Sequence, residues 1–138
     1  NSCGIKVNGE PVTVRYEMHV GDILTLSLEE KSGSDIQMCN IPLDIIYEDQ
    51  HILAVNKPRA KPTHPSFRHH SDTLANAVMY KFRNTVFTFR AATRLDEDTS
   101  GVVLIAKDAN TAYKLSLLLQ KGEIEKQYVA ICDNTPVE

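Results

Sequence analysis

The feature that most constrains the fold of this chain is a short apolar run that directly follows a charged, hydroxyl-rich segment. Residues 101–106 (GVVLIA) are continuously apolar, a pattern typical of a strand that is buried on both faces. The residues before them, 94–100 (RLDEDTS), are polar except for Leu95 and predict a loop. A carboxylate on such a loop can be held rigidly and still face a cleft, so this junction is the first candidate for a functional site.

The rest of the sequence predicts an α+β fold with a mixed, largely antiparallel sheet and flanking helices. Asn8 followed by Gly9 is a strong signal for a hairpin turn. Short runs of alternating or continuous apolar residues predict the strands. The predicted strands are residues 5–7, 12–14, 23–28, 43–48, 52–56, 87–95, 101–106 and 126–132.

Two helices are expected in the second half of the chain. Ser71 or Asp72 is the expected N-cap of the first, which runs to about Phe82 with apolar residues at helical spacing. Asp108 or Asn110 is the expected N-cap of the second, which a Lys-Gly pair ends. Both helices carry enough apolar residues to pack against the sheet.

Charge is distributed unevenly along the chain, whose net charge is −3. From Lys57 to Leu95 there are eight basic residues and a single acidic one, Asp72, which gives this segment a charge of +7. Such a block is the expected footprint of phosphate contacts, although a solvated surface would look the same. The basic residues are Lys57, Arg59, Lys61, Arg68, Lys81, Arg83, Arg90 and Arg94.

Cysteine usage and hydropathy indicate the compartment. The three cysteines are odd in number, scattered and without Cys-x-x-Cys spacing, which fits a reducing cytoplasm and argues against a disulfide framework or a zinc site. No apolar run approaches the roughly 20 residues that span a bilayer, so no membrane partner is expected. Because the sequence has no initiator Met, we expect it to begin inside a longer gene product.

Two charged residues of segment 94–100 are spaced for joint action. Arg94 and Asp96 are two positions apart, so both project to the same side if the segment is extended. The arginine could keep the carboxylate ionised and also meet a phosphate or a base. A purely structural ion pair between them is the competing interpretation, and the residues alone leave both open.

The same segment resembles the signature motif of the RluA-type pseudouridine synthases, over residues 94–101 (RLDEDTSG) and the apolar run that follows. One difference is Thr93, where many relatives have histidine. Further matches to the family occur in the family's order. They are residues 56–58 (NKP), 64–65 (HP), 73–77 (TLANA) and 126–130 (KQYVA).

The resemblance also implies a domain organisation. Residues 1–30 are similar to the end of the small RNA-binding domain named for small-ribosomal-subunit protein four. Residues 31–40 are the expected linker, and residues 41–138 the N-terminal part of the catalytic domain. The family's downstream basic motif is absent from the sequence, so we expect a fragment that is inactive alone.

The activity implied by the resemblance is the isomerisation of uridine to pseudouridine in ribosomal or transfer RNA, without a cofactor or a metal ion. Asp96 is implied as the catalytic carboxylate, and Tyr128 as the residue that packs on the target base and exchanges protons. Arg94 would occupy the space left by the flipped-out nucleotide. The residues expected to bind RNA are Arg94, Lys57, Arg59, Lys61, His64 and Arg68.

Two other functions compete with this one. The chain could be a non-catalytic RNA-binding module of the same fold, or a hydrolase that uses Asp96 and Asp98 as paired carboxylates. His64, His69 and His70 do not have the spacing of a metal site, so a loop near RNA is the better interpretation. The sequence leaves the oligomeric state open.

Overall fold

The computed structural model describes residues 4–13, 15–27 and 35–133. Within them the chain forms two three-stranded sheets and two helices. Every strand pairing is antiparallel, which confirms the α+β class with largely antiparallel sheets. None of the helices in this described part is long and apolar enough to cross a membrane.

The first sheet has the order β2-β1-β3, with β1 at Gly4–Val7, β2 at Glu10–Pro11 and β3 at Leu24–Ser27. Asn8 and Gly9 form the predicted turn, with φ angles of 52° and 87°. The predicted strand 12–14 is wrong, because a two-residue turn places residue 10 directly opposite residue 7 and pairing begins there. Val14 and Leu28, which the sequence assigned to strands, lie outside the described residues.

The second sheet has the order β4-β5-β6, with β4 at Ile45–Glu48, β5 at Ile52–Lys57 and β6 at Gly101–Ala106. The continuous apolar run of β6 forms the predicted strand, but the strand is not buried on both faces, because Val102 is 53% exposed. In the register of β5 and β6, Lys57 lies opposite Gly101. This pairing brings the end of the 56–58 motif next to the end of the 94–101 motif.

Helix α1 spans Leu74–Lys81, and its N-cap is Thr73 rather than Ser71 or Asp72. Thr73 and Asn76 form a capping box, in which the Asn76 side chain accepts a hydrogen bond from the Thr73 N–H at 3.0 Å. Both residues are buried. The sequence prediction failed here because the Asp72 carboxylate binds His69 instead of the helix.

Helix α2 spans Ala109–Gln120 and begins at the predicted cap, Asp108, which accepts a hydrogen bond from the Thr111 N–H at 2.8 Å. Hydrogen bonds from Thr111 lower the pKa of Asp108 to about 2. The apolar surface of α2 is smaller than expected, because Tyr113 is exposed and Leu115 is its buried leucine.

The core lies between the second sheet and α1. Phe82, the C-cap of α1, packs against this core and stacks on Phe87, with ring centroids 4.3 Å apart. The buried cluster consists of Leu53, Val55, Leu74, Ala75, Val78, Met79, Phe87, Phe89, Val103 and Ile105. Leu95, within the motif itself, packs against this cluster and so ties the motif to the core.

Two predicted strands are absent from the described part of the chain. Segment 87–95 makes only an isolated bridge between Ala91 and Ile105, although Phe87 and Phe89 within it are buried in the core. Segment 126–132 is irregular, and Val129 is fully exposed. A strand needs a neighbouring strand to pair its backbone groups, and no described strand is hydrogen-bonded to this segment as a sheet neighbour.

Candidate active site

The candidate catalytic carboxylate lies in a turn just before β6. The Thr99 N–H donates to the Asp96 carbonyl oxygen at 3.2 Å, and the Asp96 side chain is exposed. Gly101 ends the turn with a φ of +137°, in the region that favours glycine. A side chain there would strain the backbone although the space beside it, 3.6 Å from Leu95 Cδ1, is open enough for a β-carbon.

Lys57 anchors the residue that follows Asp96. Its Nζ donates to the carbonyl oxygens of Pro58 at 3.0 Å, Lys61 at 2.6 Å and Glu97 at 3.0 Å. An ammonium group has three donors, so these contacts use all of them. The sequence predicted that Lys57 binds RNA. The structure corrects this, because the side chain is fully buried and holds backbone instead.

The electrostatic surroundings of Lys57 are acidic. Burial lowers the pKa of its ammonium group, and the negative charges of Asp98, Glu97 and Asp96 act in the opposite direction. Burial has the larger effect. The three carboxylates therefore offset part of the cost of placing this charge beneath the turn, and the lysine in turn stabilises a cluster of like charges.

Thr63 anchors the residue that precedes Asp96. Its hydroxyl donates to the Leu95 carbonyl oxygen at 2.8 Å and accepts from the Leu95 N–H at 3.2 Å. Thr63 is almost completely buried. The backbone is thus held on both sides of Asp96, by Thr63 before it and by Lys57 after it. Sequence reasoning missed Thr63, whose only signal was its place just before the 64–65 match.

His64, on the loop between β5 and α1, lies near Arg94, and both residues are exposed. The His64 ring packs edge-on against Phe89, with centroids 5.0 Å apart. Partial burial and the charge of Arg94 both lower the pKa of His64, so this histidine is largely neutral at pH 7. No ion pair among the described residues joins Arg94 to Asp96, which removes the support for a structural Arg–Asp pair.

Tyr128 lies across a cavity from the turn. The cavity has a volume of 740 Å³ and is lined by Tyr128 together with Asp98, Thr99 and Ser100. The tyrosine ring is 66% exposed. Asp96 itself does not line the cavity, so the structure brings Tyr128 beside the residues that follow Asp96.

The other residues expected to bind RNA lie on the loop between β5 and α1. Arg59 and Arg68 are exposed, and Lys61 is half-buried. Arg68 has a φ of 72° and places its guanidinium group 5.3 Å from the centroid of the Phe67 ring. These cations are available to an anionic ligand, unlike Lys57.

Comparison with known proteins decides the family. The family model described as RNA pseudouridylate synthase matches residues 51–138, more than half of the chain. The chain belongs to the RNA pseudouridylate synthase family. The match covers β5, α1, β6 and α2, together with both anchors of Asp96.

Individual pseudouridine synthases extend the likeness into the first sheet. The chain is 36% identical to the uncharacterized RNA pseudouridine synthase YjbO of Bacillus subtilis, over 92% of this chain and 46% of that protein. It is equally identical to the ribosomal large subunit pseudouridine synthase D of Pasteurella multocida, over 92% of this chain and 40% of that one. The chain therefore spans less than half the length of these relatives.

Among solved structures, a human protein named RNA pseudouridylate synthase domain containing 1 is 25% identical, with a TM-score of 0.46. The superposition covers 58% of this chain and 28% of the human chain.

In this member of the RNA pseudouridylate synthase family, His69 connects the loop between β5 and α1 to the turn that carries Asp96. Its Nδ1 lies 2.7 Å from Asp72 Oδ2, and its Nε2 lies 3.5 Å from Glu97 Oε1. The hydrogen bond with Asp72 raises the pKa of His69, and the same bond lowers the pKa of Asp72. The sequence had offered His69 only as a loop residue. Within the described ranges, no three His, Cys, Asp or Glu side chains form a group that could hold a metal ion.

Proposed function

We propose that the protein containing this chain is an RNA pseudouridine synthase that isomerises uridine to pseudouridine, with Asp96 as its catalytic carboxylate. One observation carries the proposal beyond family membership. The backbone before and after Asp96 is anchored by buried side chains, while its carboxylate faces solvent. An anchored backbone around an accessible carboxylate is what positioning for chemistry requires.

The chemistry suits a carboxylate. The reaction breaks the bond between the sugar and a nitrogen of uracil and rejoins the base to the sugar through carbon five. It requires a group that attacks the base or the sugar, or that stabilises a cationic sugar. Tyr128 is proposed to pack on the base and to exchange protons, which its place beside the turn supports. Arg94 is proposed to fill the gap left by a flipped-out nucleotide.

The proposed substrate is RNA, and ribosomal RNA in particular. The name of the Pasteurella multocida relative refers to the large ribosomal subunit, and transfer RNA is the second candidate. Phosphate contacts from the basic segment would offset the cost of base flipping. The exposed or half-buried members proposed to make them are Arg59, Lys61, His64, Arg68 and Arg94. The proposed location is the cytoplasm.

The domain organisation is proposed on the same basis. The sheet of β1, β2 and β3 would be the end of a small RNA-binding domain (residues 1–30), and residues 41–138 would be part of the catalytic domain. The linker between them, residues 31–40, falls partly outside the described residues.

Substitution of the carboxylate tests the function. In the full-length protein, Asp96→Asn should lower pseudouridine formation in unmodified ribosomal and transfer RNA by about 10⁴-fold, because the amide cannot attack or stabilise a cation. RNA affinity should be retained. Pseudouridine is counted by mass spectrometry of nuclease digests under single-turnover conditions.

The matched comparison is Asp98→Asn, which removes a carboxylate two residues away on the same turn and should lower isomerisation far less than Asp96→Asn does. Full activity of Asp96→Asn would contradict the assignment of Asp96. Release of free uracil, abolished by Asp98→Asn, would indicate a hydrolase instead. RNA binding with no isomerisation by the unsubstituted protein would indicate a non-catalytic RNA-binding module.

A further inference from the structure

A tight turn projects from the loop between β5 and α1. Ser66 and His69 exchange two backbone hydrogen bonds, Ser66 N–H to His69 O at 2.9 Å and His69 N–H to Ser66 O at 3.0 Å. Phe67 and Arg68 form the two-residue tip of this turn. We name residues 66–69 the tip hairpin. Its closed backbone gives the two tip side chains a defined direction.

Phe67, at the tip, is exposed, whereas the other described phenylalanines are buried or half-buried. Phe67 is 82% exposed, whereas Phe87 and Phe89 are 4% and 7% exposed in the core. The Arg68 guanidinium lies 5.3 Å from the Phe67 centroid. Such a pair offers a flat apolar face beside a permanent positive charge, the combination on which unpaired nucleobases stack while their phosphates are bound.

The tip hairpin is tied to the turn that carries Asp96. His69, its last residue, lies 3.5 Å from the Glu97 carboxylate through Nε2. Glu97 directly follows Asp96, and its own carbonyl oxygen is bound by Lys57. Only Arg68 therefore separates the exposed ring of Phe67 from His69, whose side chain contacts the residue that follows Asp96.

From this arrangement we infer that Phe67 is a stacking platform for an unpaired RNA base next to the target uridine, with Arg68 on the adjoining phosphate. The inference rests on the proposed function, because the tip hairpin gains this meaning from its link to Asp96. The surrounding charge favours the same ligand, since Arg59 and Lys61 lie on the same loop. A duplex would not serve, because its bases are already stacked and present only their edges.

The test compares single-stranded and duplex RNA. Full-length protein is titrated against fluorescein-labelled oligouridylate of 15 nucleotides and against a 15-base-pair RNA duplex, with fluorescence anisotropy as the readout. Phe67→Ala should weaken oligouridylate binding by about 5- to 20-fold and leave duplex binding within about two-fold, in line with the effect of removing one stacking aromatic. Phe67→Trp should retain the affinity, whereas Phe67→Leu should lose it.

Tyr113→Ala is the matched control, because Tyr113 is an exposed aromatic on α2 at 64% exposure. It should bind both RNAs like the unsubstituted protein. Circular dichroism melts should be unchanged for all variants at position 67, since the ring contributes little buried area.

The outcomes separate this inference from the proposed function. Unchanged oligouridylate binding by Phe67→Ala, equal losses for both RNAs, or no preference of the unsubstituted protein for either would overturn the stacking platform. If Asp96→Asn is inactive in these same cases, the proposed function still stands. If Asp96→Asn isomerises RNA normally, the proposed function fails whatever position 67 does.

Discussion

Different side chains hold the backbone on the two sides of Asp96. Thr63 binds both polar backbone groups of Leu95, and Lys57 binds the carbonyl oxygen of Glu97. Neither anchor touches the Asp96 carboxylate in the described contacts, so each acts as a positioning residue. The division matters because a displacement of about 1 Å at a reacting group can cost about 100-fold in rate.

The hydroxyl of Thr63 is expected to support both stability and rate. Thr63→Val keeps the shape but leaves the partly buried N–H and C=O of Leu95 without this partner, which should cost about 1–3 kcal/mol in unfolding free energy. It should also lower kcat for pseudouridine formation with little change in RNA affinity. Denaturant unfolding and single-turnover kinetics of the full-length protein measure the two effects.

Thr63→Ser is the matched variant, because it restores the hydroxyl and should recover most of the lost rate. A Thr63→Val protein that is less stable but fully active would show that Thr63 supports the fold without positioning Asp96.

At the scale of elements, the loop from β5 to α1 is joined to the Asp96 turn through His69, Asp72 and Glu97. The pKa of His69 is raised and the pKa of Asp72 is lowered, so both are charged between the two values. The His69 contribution to stability is present below its unfolded pKa and is lost as pH rises through the higher folded value. The Asp72 contribution is lost as pH falls through its lowered value.

This linkage predicts a pH window for the junction between loop and turn. The pKa of His69 should lie above 6.5, and Asp72→Asn should move it back toward that ordinary value because its main hydrogen-bond partner has lost its charge. NMR titration of the His69 ring protons measures both. A His69 pKa below 6.5 would contradict the junction described here.

At the scale of the whole molecule, charge is segregated: the segment from Lys57 to Leu95 carries +7 in a chain of net charge −3. Binding to an anionic polymer is then expected from one region even though the chain as a whole is acidic. The structure removes Lys57 from the set of cations available to RNA. Lys57 is buried, and the carboxylates of Asp96, Glu97 and Asp98 lie close enough to act on its charge.

Salt dependence of RNA affinity tests which cations contribute. Arg59→Gln and Arg94→Gln should each reduce the slope of log K against log salt by about 0.7, the value for one phosphate contact with single-stranded RNA. Lys114→Gln, which changes an exposed lysine on α2 outside the segment, should leave the slope unchanged. Anisotropy titrations of the full-length protein from about 50 to 200 mM salt give these slopes. Equal slopes for all three variants would contradict the proposed RNA-binding surface.

The sequence by itself determined the features that depend only on residues close together in the chain. The Asn8-Gly9 turn, the continuous apolar strand β6 and the Asp108 cap of α2 all follow from patterns a few residues long, and each formed as predicted. The family also followed from sequence, because the motif around Asp96 is long and specific. Local backbone preferences and side-chain periodicity suffice for such features.

Only the tertiary structure decided how the site is held. Thr63 meets Leu95 across 32 positions and Lys57 meets Glu97 across 40, and nothing local in the sequence specifies either contact. The same holds for the cap of α1, where Asp72 is drawn away by His69 and buried Thr73 replaces it. A polar side chain can be buried only where the fold supplies its hydrogen-bond partners, and those partners come from distant parts of the chain.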